Sequence, residues 1–120
     1  MSDDQSHRRR WRDYRTASGN RPVKDFLDSL SLTDREAIVI AMGATARLGF
    51  AYARDLHGDI YEVRTTSDTK TFRILFAAEG RFNHILLSLE GYQKQTQRTP
   101  PAKIQLAERR LADWRQRGQV

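Results

Sequence analysis

The chain has no cysteine, only three prolines, three histidines and two methionines, and no long apolar run. Without cysteine there can be no disulfide, no Fe–S cluster and no thiolate zinc site, a composition that suits a cytoplasmic protein. No stretch approaches the ~18 consecutive apolar residues of a membrane span. The N-terminus runs Met-Ser-Asp-Asp-Gln and then reaches Arg8, Arg9 and Arg10, without the apolar stretch of a secretory signal. No histidine and carboxylate pair stands at metal-ligand spacing, so no metal and no cofactor are expected. Neither a Gly-rich phosphate cradle nor a nucleophile elbow is present.

What is there is one compact stretch of pattern. At 120 residues, 38% of them hydrophobic, the chain is expected to form one domain over residues 8–120, preceded by a disordered polar tail at 1–7. The net charge of +6 is unevenly spread. Residues 1–15 carry +2, residues 16–92 carry −1, and residues 93–120 carry +5. A basic excess clustered at the ends favours a polyanionic partner: nucleic acid, ribosomal RNA or an acidic protein.

Residues 8–15, with Trp11 and Tyr14, are expected to form a first strand. Pro22 opens a short helix with Val23, Phe26, Leu27 and Leu30 at helical spacing. Thr33 and Glu36 predict a capping box for a second helix. Ala37, Ile38, Ala41, Ala44, Thr45 and Leu48 form its apolar stripe, and Gly49 stands where a left-handed terminator belongs. From Asp59 the period becomes two. Tyr61 and Val63, then Phe72, Ile74 and Phe76, then Ile85, Leu87 and Leu89 alternate with other residues. Turns are expected at Thr66-Ser67-Asp68 and Glu79-Gly80, giving an antiparallel meander. Ile104, Ala107, Leu111 and Trp114 mark a last helix, with Arg109, Arg110 and Arg117 mostly off its apolar face. The expected order is β-α-α-β-β-β-α. This is an α+β fold: a small antiparallel sheet with a helical hairpin on one face and the other face partly open.

Strand alternation puts Glu62, Arg64, Arg73, Leu75, Ser88, Glu90 and Tyr92 on that second face. Arginines in mid-strand are costly unless they meet an anion. That anion is either a ligand or the chain's own Glu62 and Glu90. His57 precedes the meander and could face the same surface. His84 is expected to pack or lie at the surface, and His7 has no expected role.

The segment from Glu90 to Pro101 is the most telling. It reads as a strand ending in an aromatic, a cationic loop, and a helix opened by proline. Tyr92 and Lys94, with Arg98 close by, can stack a base and hold a phosphate, which points to RNA. Three motifs in register then resemble one family: Asp-Leu-His-Gly-Asp-Ile-Tyr-Glu-Val-Arg (55–64), Thr-Phe-Arg-Ile-Leu-Phe (71–76) and Gly-Tyr-Gln-Lys-Gln-Thr-Gln-Arg-Thr-Pro (91–100). Over roughly residues 20–117 the chain resembles the HigB-like, phage-related branch of the RelE/ParE superfamily of type II toxins.

The resemblance implies a RelE-like fold and a toxin that cleaves mRNA, usually on the ribosome. It also implies neutralisation by a helix-turn-helix, HigA-like antitoxin. Arg64 and Arg73 match the family's two strand arginines, Tyr92 replaces its usual Phe, and Lys94 matches its first loop Lys. Gln95 stands where a second Lys is common, while Arg98 keeps the charge of the third. The expected reaction is metal-free attack of a 2′-hydroxyl on the adjacent phosphate. Arg73 and Arg64 are expected to hold the developing charge, a term worth ~10²–10³ in rate for one well-placed donor. Tyr92 is expected to stack a base, and Lys94 or His57 to move a proton. Arg98, Gln97, Lys103 and Arg54 complete the expected RNA contacts. Two other readings stay open: a ParE-like inhibitor of DNA gyrase, and a non-catalytic module that binds RNA or antitoxin.

Overall fold

The structure, a computed structural model, describes residues 9–95 and 97–118. The tail expected at residues 1–7 and the start of the first expected strand, Arg8, lie outside them. In order along the chain are β1 (Arg10–Asp13), α1 (Pro22–Asp28), α2 (Leu32–Leu48), β2 (Arg54–His57), β3 (Ile60–Ser67), β4 (Lys70–Glu79), β5 (Ile85–Gln93) and α3 (Pro101–Gln116). The strands form one sheet in the order β1-β5-β4-β3-β2. β1 runs parallel to β5, and the other three pairings are antiparallel. This is the α+β architecture expected of a RelE-like fold.

β2 is absent from the sequence reading. Its four residues, Arg-Asp-Leu-His, hold one apolar side chain and lie at the sheet edge, where nothing enforces alternation. The β3–β4 turn is tighter than expected. Thr66 and Ser67 stay in the ladder opposite Thr71 and Lys70, and Asp68 makes the turn with a φ of 59°.

α1 and α2 cover one face of the sheet. Val23, Ile38 and Met42 pack there on Val63, Phe72, Ile74, Phe76 and Leu86. Trp11 crosses this layer at the β1 edge. Its ring meets Phe76 edge-on at 5.0 Å, and its Nε1–H donates to the Met42 carbonyl at 2.7 Å. Gly91 on β5 lets the layer close, since a Cβ there would stand 2.6 Å from a ring carbon of Phe26.

The cap of α2 is Ser31, not Thr33. Ser31 is extended, and its Oγ accepts from the Asp34 N–H at 3.2 Å. Thr33 already lies in the first turn. Its expected partner Glu36 is exposed, whereas Asp34 is buried and turns to the sheet. The apolar row also differs: Asp34, Ile38, Met42 and Thr45 are buried, while Leu48 is exposed. Gly49 ends the helix with a φ of 80°, as the pattern required.

The second face is not open. α3 lies on it, burying Ala107, Leu111 and Trp114 against Ile60, Leu75, Ala77, Leu87, Leu89 and Tyr92. With helices on both faces, eight consecutive β5 residues are buried, so alternation there says nothing about side. Leu87 and Leu89, expected opposite α1 and α2, belong to the α3 side, and Leu86 takes the other. A bulge adds to the shift: Leu75 pairs with Glu90 but Phe76 with Ser88, leaving Leu89 as the extra residue.

Candidate active site

Glu62 and Arg64 stand two apart on β3, so they share a face, and Arg73 on β4 lies directly opposite Arg64 in the ladder. Tyr92 on β5 is opposite Arg73 in turn. Strand alternation therefore does bring Arg64, Arg73 and Tyr92 together, as expected. The loop after β5 then folds over them.

Arg73 is completely enclosed, its side chain 0% exposed. Its Nη1 donates to Glu62 Oε2 at 3.1 Å and to Thr99 Oγ1 at 2.7 Å, and its Nη2 donates to the Gln97 carbonyl at 3.1 Å. The Thr99 hydroxyl in turn donates a hydrogen bond to Glu62 Oε2 at 2.6 Å. Glu62 Oε1 accepts from Arg64 Nε at 2.8 Å. One buried carboxylate thus holds two guanidiniums and a hydroxyl. Of the open alternatives, the internal one is realised for both arginines through Glu62 alone.

Glu90 is occupied elsewhere. Its oxygens accept from Lys103 at 2.7 Å and from Arg110 at 3.1 Å, both reaching down from α3. Lys103 Nζ also stands 5.2 Å from the centre of the Tyr92 ring. Tyr92, expected to stack a base, is thereby buried beneath a cation. Among the described residues its hydroxyl and the Arg73 Nε are buried without a hydrogen-bond partner. Burial raises the Tyr92 pKa above that of an ordinary phenol, and the nearness of Thr99 and Arg73 opposes the rise.

The solvent side of this cluster is cationic. Arg64 is 41% exposed while anchored on Glu62. Arg54 sits opposite Glu62 on the edge strand β2 and is exposed. Arg98 and Gln97 are exposed on the covering loop. Lys94 leaves β5 with its backbone N–H on the Thr71 carbonyl at 2.7 Å. It lines a cleft of about 340 Å³ with Lys70, Thr71, Gln93, Gln95 and Gln97. His57 does not join the cluster. Its Nδ1 meets Glu108 Oε2 of α3 at 2.8 Å, and the ring is largely exposed.

Residues 25–112 match the family described as Phage derived protein Gp49-like (DUF891). The chain belongs to this family of HigB/RelE-type toxins. It is also 30% identical over 108 residues to the Probable endoribonuclease HigB1 of Mycobacterium tuberculosis strain CDC 1551 / Oshkosh, covering 88% of this chain and 84% of that one. The same figures hold for the protein of that name in strain H37Rv.

In this Gp49-like chain the sequence motifs point to the right strands but not to the hub. Glu62 was legible as an ion-pair partner, and its spacing to Arg64 gives it away. Thr99, which closes the cluster from the loop, falls within the 91–100 motif but is given no role by it. Among the described residues no group of three or more His, Asp or Glu converges in a way that could hold a metal ion. No helix among them is long and apolar enough to cross a membrane.

Proposed function

We propose that this protein is the toxin of a type II toxin–antitoxin pair and an endoribonuclease that cleaves mRNA on the translating ribosome. The observation that carries the reading is the exposed guanidinium of Arg64, held by a buried carboxylate in a toxin-family fold, with Arg54 opposite that carboxylate on the neighbouring strand. The name of the 30%-identical M. tuberculosis relatives, probable endoribonuclease, supports it.

The reaction needs no metal. A base takes the proton of a 2′-hydroxyl, the 2′-oxygen bonds to phosphorus, and the bond to the 5′-oxygen breaks. A proton goes to that leaving oxygen, giving a cyclic phosphate and a free 5′-hydroxyl. Charge builds on the non-bridging oxygens meanwhile. A pre-oriented guanidinium is the group to meet it, because no reorganisation is needed during the step.

Arg64 takes this role. Arg73, at 0% exposure, acts as a positioning residue that holds Glu62, and Glu62 in turn aims Arg64. Lys94 binds phosphate or moves a proton at the rim, with Arg98, Gln97, Lys103 and Arg54 as further RNA contacts. Tyr92 supports the loop from below. His57 lies beyond the cluster, as the weaker candidate for the base. The partner in the cell is a helix-turn-helix antitoxin, and the compartment is the cytoplasm.

Primer extension on a reporter mRNA in a purified translation system tests this. Wild type is expected to give discrete cuts that vanish without ribosomes. Arg64→Ala is expected to lower the cleavage rate ~10²-fold or more. Arg73→Lys is expected to lower it less and to be accompanied by loss of stability. Cuts of wild-type intensity from Arg64→Ala overturn the assignment. Translation arrest without cuts leaves occlusive binding, and arrest of DNA supercoiling instead points to gyrase.

A further inference from the structure

The two basic ends of the chain, separate in sequence, are brought together by the fold. β1 lies parallel to β5 at one edge of the sheet, and α3 ends beside it. Arg117, just past α3, donates from Nη2 to the Arg15 carbonyl across 102 residues of sequence. Between them opens a cavity of about 710 Å³, lined by Arg12, Arg15, Arg21 and Arg117, with Asp13 and Trp114 in its wall.

Two of these arginines are built into position. Arg21 Nη2 pairs with Asp13 Oδ2 at 2.6 Å, and Arg117 holds Asp113 Oδ2 through Nε at 3.1 Å and Nη2 at 2.7 Å. The segment between Arg15 and Arg21 is itself fixed. Thr16 N–H donates to the Asn20 carbonyl, Gly19 N–H to the Thr16 carbonyl, and Asn20 N–H to the Thr16 hydroxyl. Among the described residues, four guanidiniums and the Asp13 and Asp113 carboxylates thus meet at one concave site. Arg12 and Arg15 are the exposed members.

We infer that this cavity is a second anion site, taking the phosphodiester backbone of an RNA strand outside the candidate active site. All four cations are arginine, whose planar fork matches phosphate oxygens two at a time. The site is remote from the Arg64 cluster. α3 begins beside Thr99 and ends beside Arg117, and its 16 residues span about 24 Å at the helical rise. A strand engaged at both places is held at two points along its length. The choice of RNA over other polyanions rests on the proposed ribonuclease reading.

The test is fluorescence polarisation with uncleavable 2′-O-methyl RNA oligonucleotides of about 4 and about 16 nucleotides, a range spanned by known single-strand sites. For wild type, the longer oligonucleotide is expected to bind more tightly and with the steeper salt dependence. Arg12→Gln/Arg15→Gln is expected to weaken the longer oligonucleotide tenfold or more and to flatten its log–log salt slope by about 1.4, two phosphates' worth for single strands. Arg15→Glu alone, which keeps the carbonyl that Arg117 holds, is expected to act in the same direction. The short oligonucleotide is expected to be unaffected by either. Wild-type binding of the long oligonucleotide by folded variants, judged by circular dichroism, overturns the inference, as does a failure of wild type to bind it. So does a poly-glutamate peptide that competes at the cavity where RNA does not. Loss of long-RNA affinity in variants of a protein that cuts no mRNA sustains the cavity and sinks the enzyme reading.

Discussion

Arg64 and Arg73 lie directly opposite each other on neighbouring strands, two like charges side by side, and both are held by Glu62. Like charges placed so are destabilising unless a counter-charge stands between them. Glu62→Ala removes that counter-charge and leaves Arg73 buried and unpaired. The expected loss is about 3–5 kcal/mol, the range for breaking a buried pair from one side. Urea unfolding of wild type and variant measures it, and a loss under 1 kcal/mol sinks the idea of Glu62 as the hub.

Gly91 is required by contact rather than by φ. A methyl group there meets Phe26 at 2.6 Å and Ile74 at 3.0 Å. Gly91→Ala is expected to cost about 1–3 kcal/mol through overpacking. Phe26→Leu made in the same chain is expected to recover part of that, so the double-mutant cycle gives a coupling of opposite sign to the single losses. Strict additivity places the clash elsewhere.

The helix cap separates two readings of one segment. Ser31→Ala is expected to cost about 1 kcal/mol, the ordinary value of a lost cap. Thr33→Ala, within the first turn of α2, is expected to change stability by under ~0.5 kcal/mol. Thermal melts of the two variants decide, and the reverse ranking restores Thr33 as the cap.

Asp34 ties α2 to the far end of β3. Its carboxylate accepts from the Ser67 hydroxyl at 2.7 Å and from Lys70 at 3.2 Å. The Ser67 bond, then Lys70, holds its pKa below the usual carboxylate range against the opposing effect of burial. A depressed carboxyl gives its full stabilisation above the unfolded value near ~3.9 and loses it as pH falls through the folded value. Asp34→Asn is therefore expected to be less stable than wild type at pH 7 and to lose stability less steeply below about pH 4. Denaturant titrations at pH 7, 4 and 3 check it, and parallel curves for the two proteins refute it.

α2 and α3, each with one wet face, were legible from their apolar rows, and β3 from its alternation. β4 alternated too, although six of its residues in a row are buried. β5 was found, but its Leu87 and Leu89 were turned the wrong way, because burial on both sides erases the pattern that reports side. The same blindness affected the site. Alternation put Arg64, Arg73 and Tyr92 on a shared face, yet the cover over them comes from α3 and from Thr99. Nothing in a strand's own residues tells what lies above it. Arg73, read as an open cation, is an internal one for that reason.

The parallel pairing of β1 with β5 and the seating of α3 beneath it carry a consequence for synthesis. Tyr14 donates its hydroxyl to Asp113 across 99 residues, so the first strand finishes its contacts only when the last helix exists. A chain that has not yet acquired α3 has Leu75, Leu87, Leu89 and Tyr92 bare on one side of its sheet. Its Glu90 also lacks the two α3 cations that hold it, Lys103 and Arg110. Such long-range closure comes late in folding and leaves apolar surface uncovered until then. Until α3 has left the machine that makes it, the nascent polypeptide is thus sticky by construction.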